Sequence, residues 1–167
     1  DIHEVASHSK ARFGGFCDID AGRYAKIDKR YPGVTHHADW REMFAKLGDR
    51  FDAVTVSTPD HMHALPTMAA MRLGKHIYCQ KPLTHTVWEA RQLRLQAAKS
   101  KVRTQMGNQI HSSKEYRTGV RLIQSGRIGK VLAVHSWHPN NGNHYTSMTA
   151  APASGPVPAG VEWDLWL

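Results

Sequence analysis

Two short stretches gather groups that can hold or move protons. Thr58-Pro59-Asp60-His61-Met62-His63 offers a hydroxyl, a carboxylate and two imidazoles, and Gln80-Lys81-Pro82 offers an amide and a primary amine. Of these, the Lys81 amine is a candidate to exchange a proton with a ligand. A lysine accepts a proton near neutrality only where its ammonium form is disfavoured, as beside another cation. Gln80 brings donor and acceptor capacity without charge. A third polar cluster, Gly107-Asn108-Gln109-Ile110-His111, supplies Asn108 and His111 as side chains of a type that binds hydroxyls.

Each cluster follows a short β-rich run. Asp52–Ser57 reads as a buried strand with Ala53, Val54 and Val56, ended at Pro59, which cannot donate to a ladder. Ala64, Leu65, Met68, Ala69, Met71 and Leu73 then follow helical spacing to a cap at Gly74. His76–Cys79 is a second strand, and Lys101–Met106 a third. Strand, helix and strand make a right-handed crossover between parallel strands. In such sheets ligands sit beyond the carboxyl ends of the strands, where these three polar clusters fall.

The remaining elements frame that unit. Asp1–His8 reads as a helix tail, Lys10–Cys17 as a strand ending at Asp18, and Ala21–Tyr31 as a helix stopped by Pro32-Gly33. Val34–His37 is extended, and Asp39 caps a helix over Trp40–Leu47. Thr86–Ser100 and Ser113–Gln124 are further helices, and Val131–Trp137 is expected to open a strand of a second domain. From Pro139 to Gly160 the chain is rich in Pro, Gly, Asn and Ala and reads as a long loop.

Bulk properties narrow the function classes. The 167 residues suit one domain, or one domain and part of another. With 41% hydrophobic and 22% charged residues the composition is that of a folded globular chain. No apolar run approaches a membrane span, and the first residues carry no export signal, so the expectation is a cytoplasmic protein unless a signal lies upstream. A net charge of +8 raises nucleic-acid binding, but no aromatic platform accompanies the spread cations, and no nucleic-acid partner is expected. Cys17 and Cys79 form no C-x-x-C pair, and the twelve histidines show no ligand spacing, so no metal is expected.

These motifs resemble a known family. Thr58-Pro59-Asp60-His61-Met62-His63 is similar to its T-P-(N/D)-x-x-H loop. Gly74-Lys75-His76 with Cys79-Gln80-Lys81-Pro82 is similar to its G-K-H…(C/S)-E-K-P segment, with Gln80 where a glutamate is usual. The helix from Asp39, the turn Gly126-Arg127-Ile128-Gly129-Lys130 and the Trp163-Asp164-Leu165-Trp166-Leu167 end also resemble it. The family is Gfo/Idh/MocA, the glucose–fructose oxidoreductase and inositol dehydrogenase group.

The resemblance implies an α/β fold: a Rossmann-type doubly wound parallel sheet in residues 1–130, leading into the start of an α+β second domain in residues 131–167. It implies hydride transfer between a nicotinamide cofactor and a sugar or polyol, with Lys81 as catalytic proton carrier. Asp18 would bind the adenine-ribose hydroxyls and repel a 2′-phosphate, favouring NAD over NADP. Ser57, Thr58 and Pro59 would line the pyrophosphate and nicotinamide ribose. His61, His63, Gln80 and Asn108 complete the expected cofactor contacts, with His63 capping its helix or touching the nicotinamide end. Lys81, Asn108 and His111 would meet substrate. Homo-oligomers through the second domain are expected as well.

No G-x-G-x-x-G stands ahead of the Phe13 strand. In strand order 3-2-1-4-5-6 the first strand is central, so its absence from these residues would part the Phe13 and Val54 strands. Two other functions fit the same motifs. One is an NAD-dependent glycosidase working by transient oxidation and elimination. The other is a sugar or nucleotide sensor without turnover, for which Gln80 is the favouring feature.

Overall fold

The computed structural model describes residues 2–137 and 153–166. Its elements in chain order are α1 (Ile2–Ala6), β1 (Gly15–Cys17), α2 (Tyr24–Arg30), β2 (Thr35–His37), α3 (Trp40–Leu47), β3 (Ala53–Val56), α4 (Ala64–Arg72), β4 (His76–Gln80), α5 (Val87–Lys99), β5 (Thr104–Gly107) and α6 (Lys114–Gln124). The chain divides into two compact units, residues 1–108 with 157–167, and residues 109–156.

Among the described residues the strands β1 to β5 pair in parallel, in two sheets, β1-β2 and β3-β4-β5. In Rossmann order these are strands 2 and 3 on one side and strands 4, 5 and 6 on the other. The position between β1 and β3 is the one where the sequence leads one to expect a missing central strand. Helix α3 spans the division. It packs on β1 and β2, while its Met43, Phe44 and Leu47 share one buried cluster with Val56, Ala70, Met71, Ile77, Cys79 and Leu93. Each Val, Ile, Leu, Met or Phe side chain moved from water into that cluster contributes about 1.5–3 kcal/mol.

Local chemistry sets the element ends. The Asp39 carboxylate accepts from Arg41 N–H at 2.8 Å and starts α3. Thr86 and Glu89 form a reciprocal capping box at α5: Thr86 Oγ1 accepts from Glu89 N–H at 3.2 Å, and Glu89 Oε2 accepts from Thr86 N–H at 2.8 Å. Along β4 the alternation of a pleated strand buries Ile77 and Cys79. Helix α4 buries Ala64, Pro66, Thr67, Ala70 and Met71, and packs against α5.

Two expected strands are corrected. The Lys10–Cys17 strand shrinks to Gly15–Cys17, because β2 offers only Thr35, His36 and His37 as partners. Phe13 instead joins an aromatic group with Phe16 and Tyr31, at ring separations of 4.9 and 4.7 Å. Val131–Trp137 is not a strand. Among the described residues nothing pairs with it, and Leu132 and Val134 stay 88% and 81% exposed. An extended run with no ladder partner satisfies its backbone with water. Of the loop expected from Pro139 to Gly160, residues 139–152 lie outside the described residues. Gly160–Glu162 packs on the first unit: Ala21 N–H donates to Gly160 O and Glu162 N–H to Ile19 O, each at 3.0 Å.

Candidate functional site at the carboxyl ends of the strands

Register places the polar clusters together. Val56 pairs with Cys79, and Gln80 pairs with Gly107, so Ser57-Thr58, Gln80-Lys81 and Asn108 leave their strands at one edge of one sheet. Neighbouring strands lie about 4.8 Å apart, which sets the spacing of these three exits. Thr58, Gln80, Lys81 and Asn108 are thereby brought to one edge. His111 belongs to the second unit, where its ring stacks on Tyr116 at 4.7 Å.

The two loops nearest Lys81 are tied from beneath by His63. This imidazole is fully buried. Its Nδ1 lies 2.5 Å from Pro82 O and its Nε2 2.8 Å from Thr58 O. Carbonyl oxygens only accept, so each ring nitrogen faces a group that needs a donor. His63 gives no side-chain cap to α4. In place of that expected role it joins the β3 exit to the β4 exit.

Gln80 shapes the same corner. Its Oε1 accepts the Lys81 N–H at 2.7 Å. Gly107 stands against it: a Cβ there would lie 2.7 Å from Gln80 Oε1 and 3.2 Å from Gln80 Cα. Only a residue without a side chain lets β5 approach this closely. The Lys81–Pro82 peptide is cis, and the Lys81 side chain is exposed.

Thr58 carries a signal that its residue type alone does not. Its hydroxyl is buried and has no hydrogen-bond partner among the described residues. A buried polar atom left unpaired costs about 1–3 kcal/mol, which a ligand phosphate or hydroxyl at this edge would recover. The cofactor fit therefore rests on an observed orphan group. Ser57, beside it, lines a cavity of about 460 Å³ with Ile2 and His3 of α1 and Lys26, Ile27, Arg30 and Tyr31 on the α2 side. Pro59 precedes the short turn Asp60–Met62. His61 Nε2 lies 2.5 Å from Trp166 O.

At the other sheet, Asp18 follows β1. Its N–H donates to His37 O at 3.1 Å, and its carboxylate accepts Asp20 N–H at 3.0 Å. The Tyr24 hydroxyl donates to Asp18 O. Burial, with help from the Asp18 carboxylate, holds the Tyr24 phenol above its ordinary range. Arg23 Nε stands 3.6 Å from Asp18 and 3.4 Å from Asp20, an exposed arrangement of small energetic weight. Asp18 keeps 41% of its side chain exposed, so its carboxylate is accessible to a ligand. Asp20 caps the short 3-10 turn Ala21–Arg23 ahead of α2, accepting from Gly22 N–H at 2.9 Å.

Comparison with known proteins agrees with this fold. Residues 2–108 match the family described as oxidoreductase family, NAD-binding Rossmann fold. The chain belongs to the Gfo/Idh/MocA family. As a Gfo/Idh/MocA member it is 36% identical over 87 residues to the 1,5-anhydro-D-fructose reductase of Ensifer adhaerens, covering 52% of this chain and 26% of that protein. It is 34% identical over 137 residues to inositol 2-dehydrogenase 2 of Saccharopolyspora erythraea, covering 80% and 39%. Among solved structures, the myo-inositol 2-dehydrogenase of Lactobacillus plantarum superposes with a TM-score of 0.72 at 21% identity, covering 78% of this chain and 38% of that one. The WlbA dehydrogenase of Bordetella pertussis, solved with NADH and UDP-GlcNAcA, gives 0.68 at 19% identity, covering 77% and 37%. The solved structures speak for the fold alone. Against the curated relatives it matches, the chain spans between 26% and 41% of their length.

The sequence reading did not single out Gly107, the Trp166 contact of His61 or the Gly160–Glu162 return. Gly107 had a visible cue, a glycine closing a strand. The other two are contacts between distant residues in a stretch without periodicity.

Proposed function

We propose that the protein carrying this chain is a nicotinamide-dependent oxidoreductase acting on a CH–OH group of a sugar or polyol. The observation that supports it best is the shared edge: three parallel strand exits carrying the unpaired Thr58 hydroxyl, Lys81 and Asn108. The relatives' names, inositol 2-dehydrogenase and 1,5-anhydro-D-fructose reductase, point to the same substrate class. Oxidising an alcohol removes a hydride from carbon and a proton from oxygen. The nicotinamide, when bound, supplies the hydride acceptor.

The chain's residues take the other tasks. Lys81 Nζ receives the hydroxyl proton. Gln80, by accepting the Lys81 N–H, fixes the backbone from which that amine projects. Asn108 orients a neighbouring hydroxyl. Thr58 and Ser57 donate to the pyrophosphate and ribose side. Asp18 binds the ribose hydroxyls and favours NAD over NADP by repelling a 2′-phosphate. The test is a panel of inositols, hexoses and anhydro sugars assayed with the intact protein for NADH and NADPH formation. NADH formation with at least one polyol is the expected result. Glycoside cleavage without NADH accumulation, or NAD binding with inertness toward the whole panel, would overturn it.

A further inference from the structure

The segment Gly160–Trp166 joins the two sheets' exits. At its start, Gly160 O accepts from Ala21, Glu162 donates to Ile19, and Val161 pairs antiparallel with Asp20. Gly160 turns the chain into this pairing at φ 83°, a left-handed conformation that suits glycine. At its end, Trp166 O accepts from His61 Nε2 at 2.5 Å, and the two rings stand 5.3 Å apart. Since the carbonyl only accepts, Nε2 carries the hydrogen. One short segment is thus fastened beside Asp18 at one end and in the loop after Thr58 at the other. Trp163 and Trp166 stack at 6.0 Å with planes 5° apart, and Trp163 remains 45% exposed. An indole held on a segment pinned at both ends is preorganised, so a ligand stacking on it loses little to ordering.

We propose that Gly160–Trp166 is a wall of the dinucleotide crevice, with Trp163 offering its indole face to the nicotinamide half of the cofactor. His61 is a positioning residue that acts through Trp166. The proposal rests on the reading above, which runs the dinucleotide from Asp18 to the Thr58 side. The end fastened at His61 is the nicotinamide end. An electron-rich indole face attracts a cationic pyridinium ring, and it stacks on the reduced ring as well.

The test measures NADH and ADP-ribose dissociation constants of the intact protein by nicotinamide fluorescence and calorimetry. In W163A the NADH constant should rise about tenfold, as expected for a lost stacking face, while W163F stays within roughly threefold of wild type. ADP-ribose, which lacks nicotinamide, should bind W163A with little change. H61A should weaken NADH binding, and H61Q, which keeps a side-chain N–H donor, should restore it. Wild-type NADH affinity in W163A overturns the proposal while leaving the oxidoreductase reading in place. Equal weakening of ADP-ribose and NADH overturns the assignment to the nicotinamide half. Failure of the wild-type protein to bind NADH sinks the underlying reading and this proposal with it. If H61A does not fold, shown by its thermal transition, W163A alone decides, since that side chain is half exposed.

Discussion

The β3-β4-β5 sheet and the stretch from α6 to Trp137 have similar raw material and different fates. Both carry apolar residues at regular spacing. In the sheet, Val56, Ile77 and Cys79 are covered by α3, α4 and α5, and the strand exits are held in register. In α6, Leu122 and Ile123 remain 41% and 52% exposed, and no residue of the helix is buried. Periodicity says which face wants cover; it does not supply the cover. Groups that must keep fixed distances are better served at the edge of the sheet, where hydrogen-bonded ladders set those distances.

That contrast can be broken most strongly at the sheet edge. Lys81→Met should lower kcat of the intact enzyme by roughly 10²–10⁴-fold, the range for losing a positioned acid–base group. Its thermal midpoint should stay unchanged because the side chain is exposed. A kcat within tenfold of wild type would remove Lys81 from the chemistry. His63→Ala should cost about 1–3 kcal/mol in urea unfolding, since the fully buried ring that bridges the Pro82 and Thr58 carbonyls is lost. His111→Ala, in the second unit, should cost less than about 0.5 kcal/mol. Equal costs would erase the distinction between the regions.

Gly107→Ala should cost about 1–3 kcal/mol, the range for forcing atoms into a filled space, because its methyl meets Gln80 Oε1 and Cα. Neutral behaviour in urea unfolding would mean that β5 and Gln80 can part cheaply. The smallest effect is electrostatic. Burial, reinforced by Asp39, Asp18 and Glu42, pushes the Cys17 thiol up to about 12 from its ordinary value near 9. The unfolded chain releases this proton first as pH rises, so the thiol's contribution to stability is full below pH 9 and declines between 9 and 12. Cys17→Ser should flatten that decline in pH-dependent unfolding, and the folded wild type should resist alkylation at pH 8.

Much of the architecture was legible because local rules carry it. Asp39, Thr86 and Ser113 announce their helices, and the alternation at Ile77 and Cys79 announces a buried strand. The split between the Phe13 and Val54 strands followed from topology alone. Less legible was anything that depends on a distant partner. Val131–Trp137 has strand-forming residues, but pairing is a property of two segments, and a sequence run cannot show that its partner is in place. His61 and His63 have one type and stand two residues apart, and only packing shows that His63 faces inward while His61 reaches Trp166. The unpaired Thr58 hydroxyl is likewise a fact about neighbours.

Helix α3 has a consequence for how β1 is held. Its Leu47 and Met43 stand against Gly15 of β1, where a Cβ would lie 3.1 and 3.3 Å from them, while Met43, Phe44 and Leu47 share one buried cluster with residues of β3 and β4. Backbone ladders are stiff rulers, whereas packed methyl and thioether groups yield by fractions of an ångström. Trimming Leu47 would thus loosen the hold of α3 on β1 at Gly15 while leaving every polar group at the strand exits untouched.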